Sequence, residues 1–486
     1  MNLFKKSGKT NRGSMRRGNR EILLITYIFV ALFVGLIVYL FCYTQFRSSD
    51  IINNPYNKRQ DLYAKRVVRG DILSRDGSLL ATTVTDEEGN EKRVYPYGNV
   101  FSHAVGYTTH GRAGVEQIAN FTLLTSDVYI GERIKNDFNG VKNPGNKVVT
   151  TLNVYMQRVA DASLSGQKGA IIACDVNTGE ILALVSKPDF DPNTVDQIWD
   201  MINEDKENSM LLNRVCSGLY PPGSTFKIVT ALEYIKEHGN RDDYDYDCTG
   251  SFTYEGNTIN CYHGQKHGEL DFTKSFAKSC NSSFANISTT LNKRRFAKTC
   301  DELLFGEKLP IPYSYKKSSV NVSGDSDIAD VMQTAIGQGK TQISPFHMNL
   351  ITQSICNEGI LMTPYIISET LSANDDVLSV TEPSEYCRLI SKENADILEQ
   401  LMDEVVQNGT ATKLRNTYGY KAYGKTGSAE YSSDKNASHA WFTGYGKDDA
   451  GNAVAVTVIV EGGGSGGEVA VPIAGNVLDA YFGSID

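Results

Sequence analysis

The chain has no Cys-x-x-Cys pair, no His-Glu-x-x-His, no glycine-rich phosphate loop and no internal repeat. Each absence removes a class of function. Without a phosphate loop, nucleotide chemistry has no foothold. Without a repeating period, a solenoid is excluded. The seven histidines are scattered and suggest no catalytic triad, and His439 reads as structural. Nine cysteines (Cys42, Cys174, Cys216, Cys248, Cys261, Cys280, Cys300, Cys356, Cys387) match no standard zinc spacing. Net charge is −9, and the first twenty residues carry seven basic side chains and no acid. That leaves about −16 on the remainder, which argues against a nucleic-acid partner.

What is present starts with one long apolar run. Ile22–Tyr43 holds 22 residues without a charge, enough at ~1.5 Å per residue to cross a ~30 Å hydrocarbon core. A secretory signal has a core of only ~7–15 residues, and Thr44, Gln45 and Phe46 make a poor cleavage site. The run therefore reads as an uncleaved anchor. Lys5, Lys6, Lys9, Arg12, Arg16, Arg17 and Arg20 would keep the N-terminus cytoplasmic and place the body of this single-pass protein outside. At 486 residues, two or three domains are expected. The divisions suggested are a basic tail (1–21), an anchor (22–44), a turn-rich pedestal module (45–150) and a main domain (151–486).

The pedestal's short apolar pieces, separated by Gly, Asp and Asn, predict small strands around little core. From Lys147 the pattern changes. "KVVTTLNVYMQRVADASL" predicts a strand and then a helix with Val154, Val159 and Ala162 on one side. "GAIIACDVNTGEILALVS" predicts two strands about Asn177-Thr178-Gly179. Two more strands around Asp448–Asn452 and a closing helix over Val469–Phe482 come near the C-terminus. A mostly helical stretch, about 195–410, separates the strand sets. The fold class expected is α+β, an antiparallel sheet flanked by helices. Cys248 and Cys261 flank a predicted hairpin and could form a disulfide outside the membrane. Cys261, His263 and His267 could alternatively suggest zinc, at loose spacing. Free thiols are the default.

"GLYPPGSTFKIVTALEYIKEHG" (Gly218–Gly239) places Ser224 and Lys227 one turn apart at the start of a helix with apolar Ile228, Val229, Leu232 and Ile235. Ser-x-x-Lys occurs five times, at Ser165, Ser224, Ser275, Ser314 and Ser432, and only the Ser224 copy has this setting. A serine cap beside an exposed lysine would look the same. So would a nucleophile beside a base whose amine is kept neutral by burial. Two further stretches favour the second reading: Ser279-Cys280-Asn281 near another helix start, and Lys425-Thr426-Gly427 on a predicted strand, followed by Ser428.

In that order, the three motifs resemble those of the class B penicillin-binding proteins, which share the serine β-lactamase fold. "RGDILSRDGSLLA", "KPDFDPN", "AIGQGKTQISPFHM" and "HAWFTGYG" extend the resemblance from about residue 20 to the end. The resemblance implies a peptidoglycan D,D-transpeptidase, acylated at Ser224 by stem peptides or by β-lactams. Lys227 would be the base. Ser279 and a positively charged Lys425 would pass the proton to the leaving amine, and Asn281 would hold the donor peptide. Thr426 and Ser428 would bind its carboxylate, while Gly427 lets the strand lie close to substrate. No cofactor or metal is implied. A membrane glycan polymerase of the SEDS family is the implied partner. A D,D-carboxypeptidase or β-lactamase on the same fold is the alternative, and an antibiotic sensor or scaffold is a weaker one. Elongation, division and sporulation roles stay open.

Overall fold

The computed structural model describes residues 12–46, 64–239, 243–430 and 438–483. Lys5, Lys6 and Lys9 of the basic tail, the start of the pedestal segment, and the Ser432 copy of Ser-x-x-Lys lie outside the described residues. Two compact units are present, Met1–Arg59 and Gln60–Asp486. The first is a helix over Arg12–Phe46 whose stretch Arg20–Thr44 has mean hydropathy 2.8 and is not buried in protein. By length and apolarity this helix is suited to span a membrane.

The second unit is built on a five-stranded antiparallel sheet. Its strands are β1 (Gly169–Asp175), β2 (Ile181–Lys187), β3 (Lys421–Glu430), β4 (Ser438–Lys447) and β5 (Ala453–Val460), in spatial order β3-β4-β5-β1-β2. The strands thus come from both ends of the domain, as the apolar runs predict. β5 reads AVAVTVIV and is buried at every position, so it shows no alternation. The helix Pro345–Cys356 is buried all round against this sheet. A run of hydroxyls ties it to the sheet: Thr352 Oγ1 lies 2.6 Å from Thr443 Oγ1, which lies 2.8 Å from Thr457 Oγ1. Unpaired, those buried hydroxyls would each cost about 1–3 kcal/mol.

The helix Val154–Ser163 fully buries Met156, Gln157 and Ala160; of the predicted face, Val154 and Val159 are half-buried against the same core and Ala162 is exposed. Gln157 decides the rotation. Its Nε2 donates to Val100 O and Leu184 O, and its Oε1 accepts from Leu184 N–H, each at 2.8 Å. A buried amide satisfied on both ends behaves as a core residue, which a hydrophobic count misses.

The pedestal contains a six-stranded sheet in the order 377–380, 367–371, 147–150, 72–73, 79–85, 91–94. Two of its strands come from far along the chain. Ile72, Leu80 and Ala81 belong to the same continuous core as the main sheet, so the predicted "little core" is part of a larger one. The stretch predicted as mostly helical also contains short ladders, 245–248 with 268–271 and 251–254 with 257–260.

Candidate active site

Pro221 and Pro222 cannot continue a helix, and Gly223 takes φ +54°. Its N–H donates to Gly337 O at 2.9 Å. The chain then makes a 3₁₀ turn over Gly223–Phe226 before the α-helix α1 (Lys227–His238) begins. Thr225 Oγ1 tightens that turn by donating to Pro222 O at 2.8 Å. The tight turn puts half-buried Ser224 at the cleft surface and makes no side-chain cap there. Lys227 is fully buried. The serine cap with an exposed lysine is therefore not what this stretch forms. α1 buries Ile228, Val229, Leu232 and Ile235 and stops at Gly239 with φ +64°, as the spacing predicts.

Lys227 Nζ donates to Ser279 O and Asn281 Oδ1, each at 2.7 Å, and to Ser279 Oγ at 3.3 Å. From the opposite side, Lys425 Nζ donates to Ser279 Oγ at 2.9 Å and to Thr426 O at 3.1 Å. One hydroxyl thus bridges two buried amines. Ser279 sits at φ +57°, a left-handed conformation that costs a non-glycine residue of order 1–3 kcal/mol. Asn281 opens the helix α2 (Asn281–Thr290), but the cap is Cys280, whose Sγ accepts from Ser283 N–H. Each amine also faces a ring, Lys227 over Phe284 at 5.4 Å and Lys425 over Phe276 at 5.5 Å.

Burial lowers Lys227 to about 7, which brings the free amine within reach near neutral pH. Burial and the charge of Lys227 also push Lys425 well below the usual lysine range. A positively charged Lys425 was expected. The two ammoniums compete across Ser279, and a carboxylate bound beside them would favour charge on Lys425.

Strand β3 forms the other wall. Thr426 Oγ1 pairs with Thr410 Oγ1, and Ser428 Oγ accepts from Gly466 N–H at 3.3 Å. A Cβ on Gly427 would meet Pro222 O at 3.0 Å and Thr225 Cγ2 at 3.2 Å. Its bareness thus serves close packing of the strand against the Ser224 turn, rather than only the approach of substrate. Trp441 Nε1 donates to Pro221 O at 3.1 Å and fastens the same junction. Ser224, Ser279, Asn281, Thr426, Gly427 and Ser428 line one cleft of about 1190 Å³, with Lys227 and Lys425 buried behind it.

All eight predicted site residues therefore converge. Three supporting residues escaped sequence reasoning: Gly337, where a Cβ would lie 2.0 Å from Gly223 O; Thr410; and Gly466, where it would lie 2.4 Å from Gly427 O. Gly337 lies within "AIGQGKTQISPFHM", so its stretch was visible but its role was not. His439 Nδ1 accepts from Gly462 N–H and its ring packs edge-on against Tyr220, a structural setting.

The Cys248 and Cys261 sulfurs are 3.6 Å apart and unbonded. His263 stands apart from them, whereas Cys248, Cys261, His267 and Cys280 bring their ligand atoms within 4.8 Å of one another.

Residues 169–479 match the penicillin binding protein transpeptidase domain, and residues 69–148 match the penicillin binding protein A dimerisation domain. The chain is 30% identical to peptidoglycan D,D-transpeptidase PbpA of Mycobacterium tuberculosis, over 95% of this chain and 99% of that one. Among solved structures it is similar to M. tuberculosis penicillin-binding protein A as a ceftriaxone acyl-enzyme (TM-score 0.78, 28% identity, 87% and 99% of the chains). It is also similar to the D,D-transpeptidase domain of an Eggerthella lenta peptidoglycan glycosyltransferase (TM-score 0.77, 27% identity, 86% and 99%). With its transpeptidase domain matched and its three motifs gathered on one cleft, this chain belongs to the penicillin-binding proteins.

Proposed function

We propose that the chain is a membrane-anchored peptidoglycan D,D-transpeptidase whose acyl-enzyme forms on Ser224. The observation that carries this reading is the Ser279 hydroxyl shared between Lys227 and Lys425 behind the Ser224 turn. Ser224 Oγ attacks the carbonyl joining two terminal D-alanines while neutral Lys227 takes its proton. Ser279 relays a proton from the lysine pair to the departing D-alanine amine, leaving an ester on Ser224. Asn281 holds the donor's peptide amide. Thr426 and Ser428 hydroxyls hold its carboxylate, whose charge favours the protonated form of Lys425. Backbone N–H groups of Ser224 and Ser428 form the oxyanion hole. The amine of a second stem peptide then attacks the ester and completes the crosslink. A β-lactam takes the donor's place and leaves Ser224 acylated.

The anchor keeps the basic tail in the cytoplasm and the catalytic domain outside, where stem peptides are available. The segment 45–150 serves as pedestal to the domain 151–486. A SEDS-family glycan polymerase is the proposed partner, contacting the anchor and pedestal. Co-purification of the full chain, compared with one lacking residues 1–45, tests it.

Intact-mass measurement after exposure to penicillin is the decisive experiment. One adduct per chain, mapped to Ser224 and absent from Ser224→Ala, is expected. Rapid turnover would instead indicate a β-lactamase, and an unmodified chain would overturn the reading.

A further inference from the structure

We propose that Cys248, Cys261, Cys280 and His267 form a structural zinc site that locks the Ser279–Asn281 segment in place. The four ligands arrive from four different pieces of chain. Cys248 ends the strand 245–248, Cys261 follows the hairpin 251–260, and His267 precedes the strand 268–271. Cys280 lies between Ser279 and Asn281. All three cysteines are buried.

The distances discriminate between the chemistries open to such a cluster. A disulfide requires sulfurs ~2.05 Å apart. Zinc bound at ~2.3 Å to tetrahedral thiolates sets them on an edge of roughly 3.8 Å. The Cys248–Cys261 and Cys261–Cys280 sulfurs are each 3.6 Å apart. Cys248 Sγ to His267 Nδ1 is 3.3 Å, close to the roughly 3.5 Å edge between a sulfur and a nitrogen at ~2.3 and ~2.0 Å from one ion. Three sulfurs and one imidazole at this spacing suit zinc above the harder divalent ions.

An outer layer of donors is also present. Ser282 Oγ lies 3.1, 3.2 and 3.3 Å from the sulfurs of Cys248, Cys261 and Cys280. Ser282 N–H points to Cys261 Sγ at 3.5 Å and Ser283 N–H to Cys280 Sγ at 3.4 Å. Backbone and hydroxyl donors aimed at sulfur stabilise thiolate, the form that binds metal. On binding, the three thiol protons pass to solvent and the ion takes three S⁻ and one neutral imidazole.

The ion would supply what this region lacks. Strands of four residues have little core of their own; besides these cysteines the cluster buries only Leu270, with Tyr246 against it. Ser279 is held at a left-handed φ between two lysines, and Asn281 Nδ2 donates to Asn260 O at 3.2 Å. Clamping Cys280 to Cys248, Cys261 and His267 fixes both neighbours against the hairpin, so metal loading sets the geometry of the proton relay.

The test uses the full-length, tag-free protein in detergent, purified reduced and without chelator. Elemental analysis is expected to find one zinc per chain. Cobalt added after zinc removal should give the intense bands of tetrahedral thiolate coordination. Ser282→Ala should weaken zinc by about 10–100-fold, and His267→Ala, which removes the least buried ligand, by more. Zinc removal should slow labelling by fluorescent penicillin and lower the melting temperature. These metal readouts do not depend on Ser224 chemistry, so the transpeptidase reading can fail without them. Absence of both zinc and the cobalt spectrum would overturn the site. So would a Cys248–Cys261 disulfide in the protein as isolated, or zinc content and affinity unchanged in both Cys248→Ser and His267→Ala.

Discussion

At the scale of single residues, Lys227 is the proposed base. With its value near 7, the free-amine fraction rises about tenfold between pH 6 and pH 8. The acylation rate of Ser224 should rise with it and level off above pH 8, as measured by fluorescent penicillin labelling. Lys227→Arg keeps a cation at all these values and should lose about 10²–10⁴ in rate. The same burial makes a stability prediction of definite sign. The unfolded chain binds a proton at Lys227 up to about 10.5, and the folded chain releases it near 7. Stability therefore gains with pH across that window, and Lys227→Met should remove that component of the slope in denaturant melts. A rate that stayed flat from pH 6 to 8 would show that another group is the base.

Glu116 is the corresponding structural residue in the pedestal. It is fully buried, with Arg69 Nε 2.6 Å from one oxygen and Arg93 Nε 2.7 Å from the other. Burial alone would raise its carboxyl, but the two guanidiniums outweigh that and hold it below the usual range. The stabilisation is thus present above the unfolded carboxylate value and lost as pH falls through the folded one. Glu116→Gln leaves two buried cations without a counter-charge and should cost about 3–5 kcal/mol in chemical unfolding at neutral pH.

At the scale of elements, the junction between β3 and the Ser224 turn decides the site. The turn meets the strand through glycines, because Pro222 O, Thr225 Cγ2 and Trp441 Cβ occupy the space any side chain at 427 would need. Gly427→Ala must push strand and turn apart by a few tenths of an ångström. Misplacement of about 1 Å costs roughly 10²-fold, so acylation should fall about tenfold with little change in melting temperature. An unchanged labelling rate would mean that the wall yields elsewhere.

At the scale of the whole molecule, pedestal and catalytic domain share structure. Of six strands in the pedestal sheet, 367–371 and 377–380 are supplied from within the later region. A chain cut to residues 151–486 would strip 367–371 of its partner 147–150, leaving it paired only with 377–380, and would expose Ile366 and Ile367. It should be poorly soluble, whereas 60–486 should melt as one calorimetric transition. A soluble, active 151–486 chain would contradict this account.

The anchor, the strand pairs of the main sheet and the three active-site motifs could be read without any structure, because each is a local pattern. An uncharged run, alternating or continuous apolar strands, and a serine one turn from a lysine need only neighbours in sequence to be recognised. What could not be read that way depends on partners far along the chain. Gln157 chose its helix face by meeting Val100 and Leu184, Gly427 is bare because of Pro222, and the pedestal sheet closes with strands some 220 residues later. The amine of Lys227 follows the same rule: its place one turn from Ser224 is written in the sequence, but its weakened hold on a proton comes from burial, and burial exists only once distant segments have packed around it.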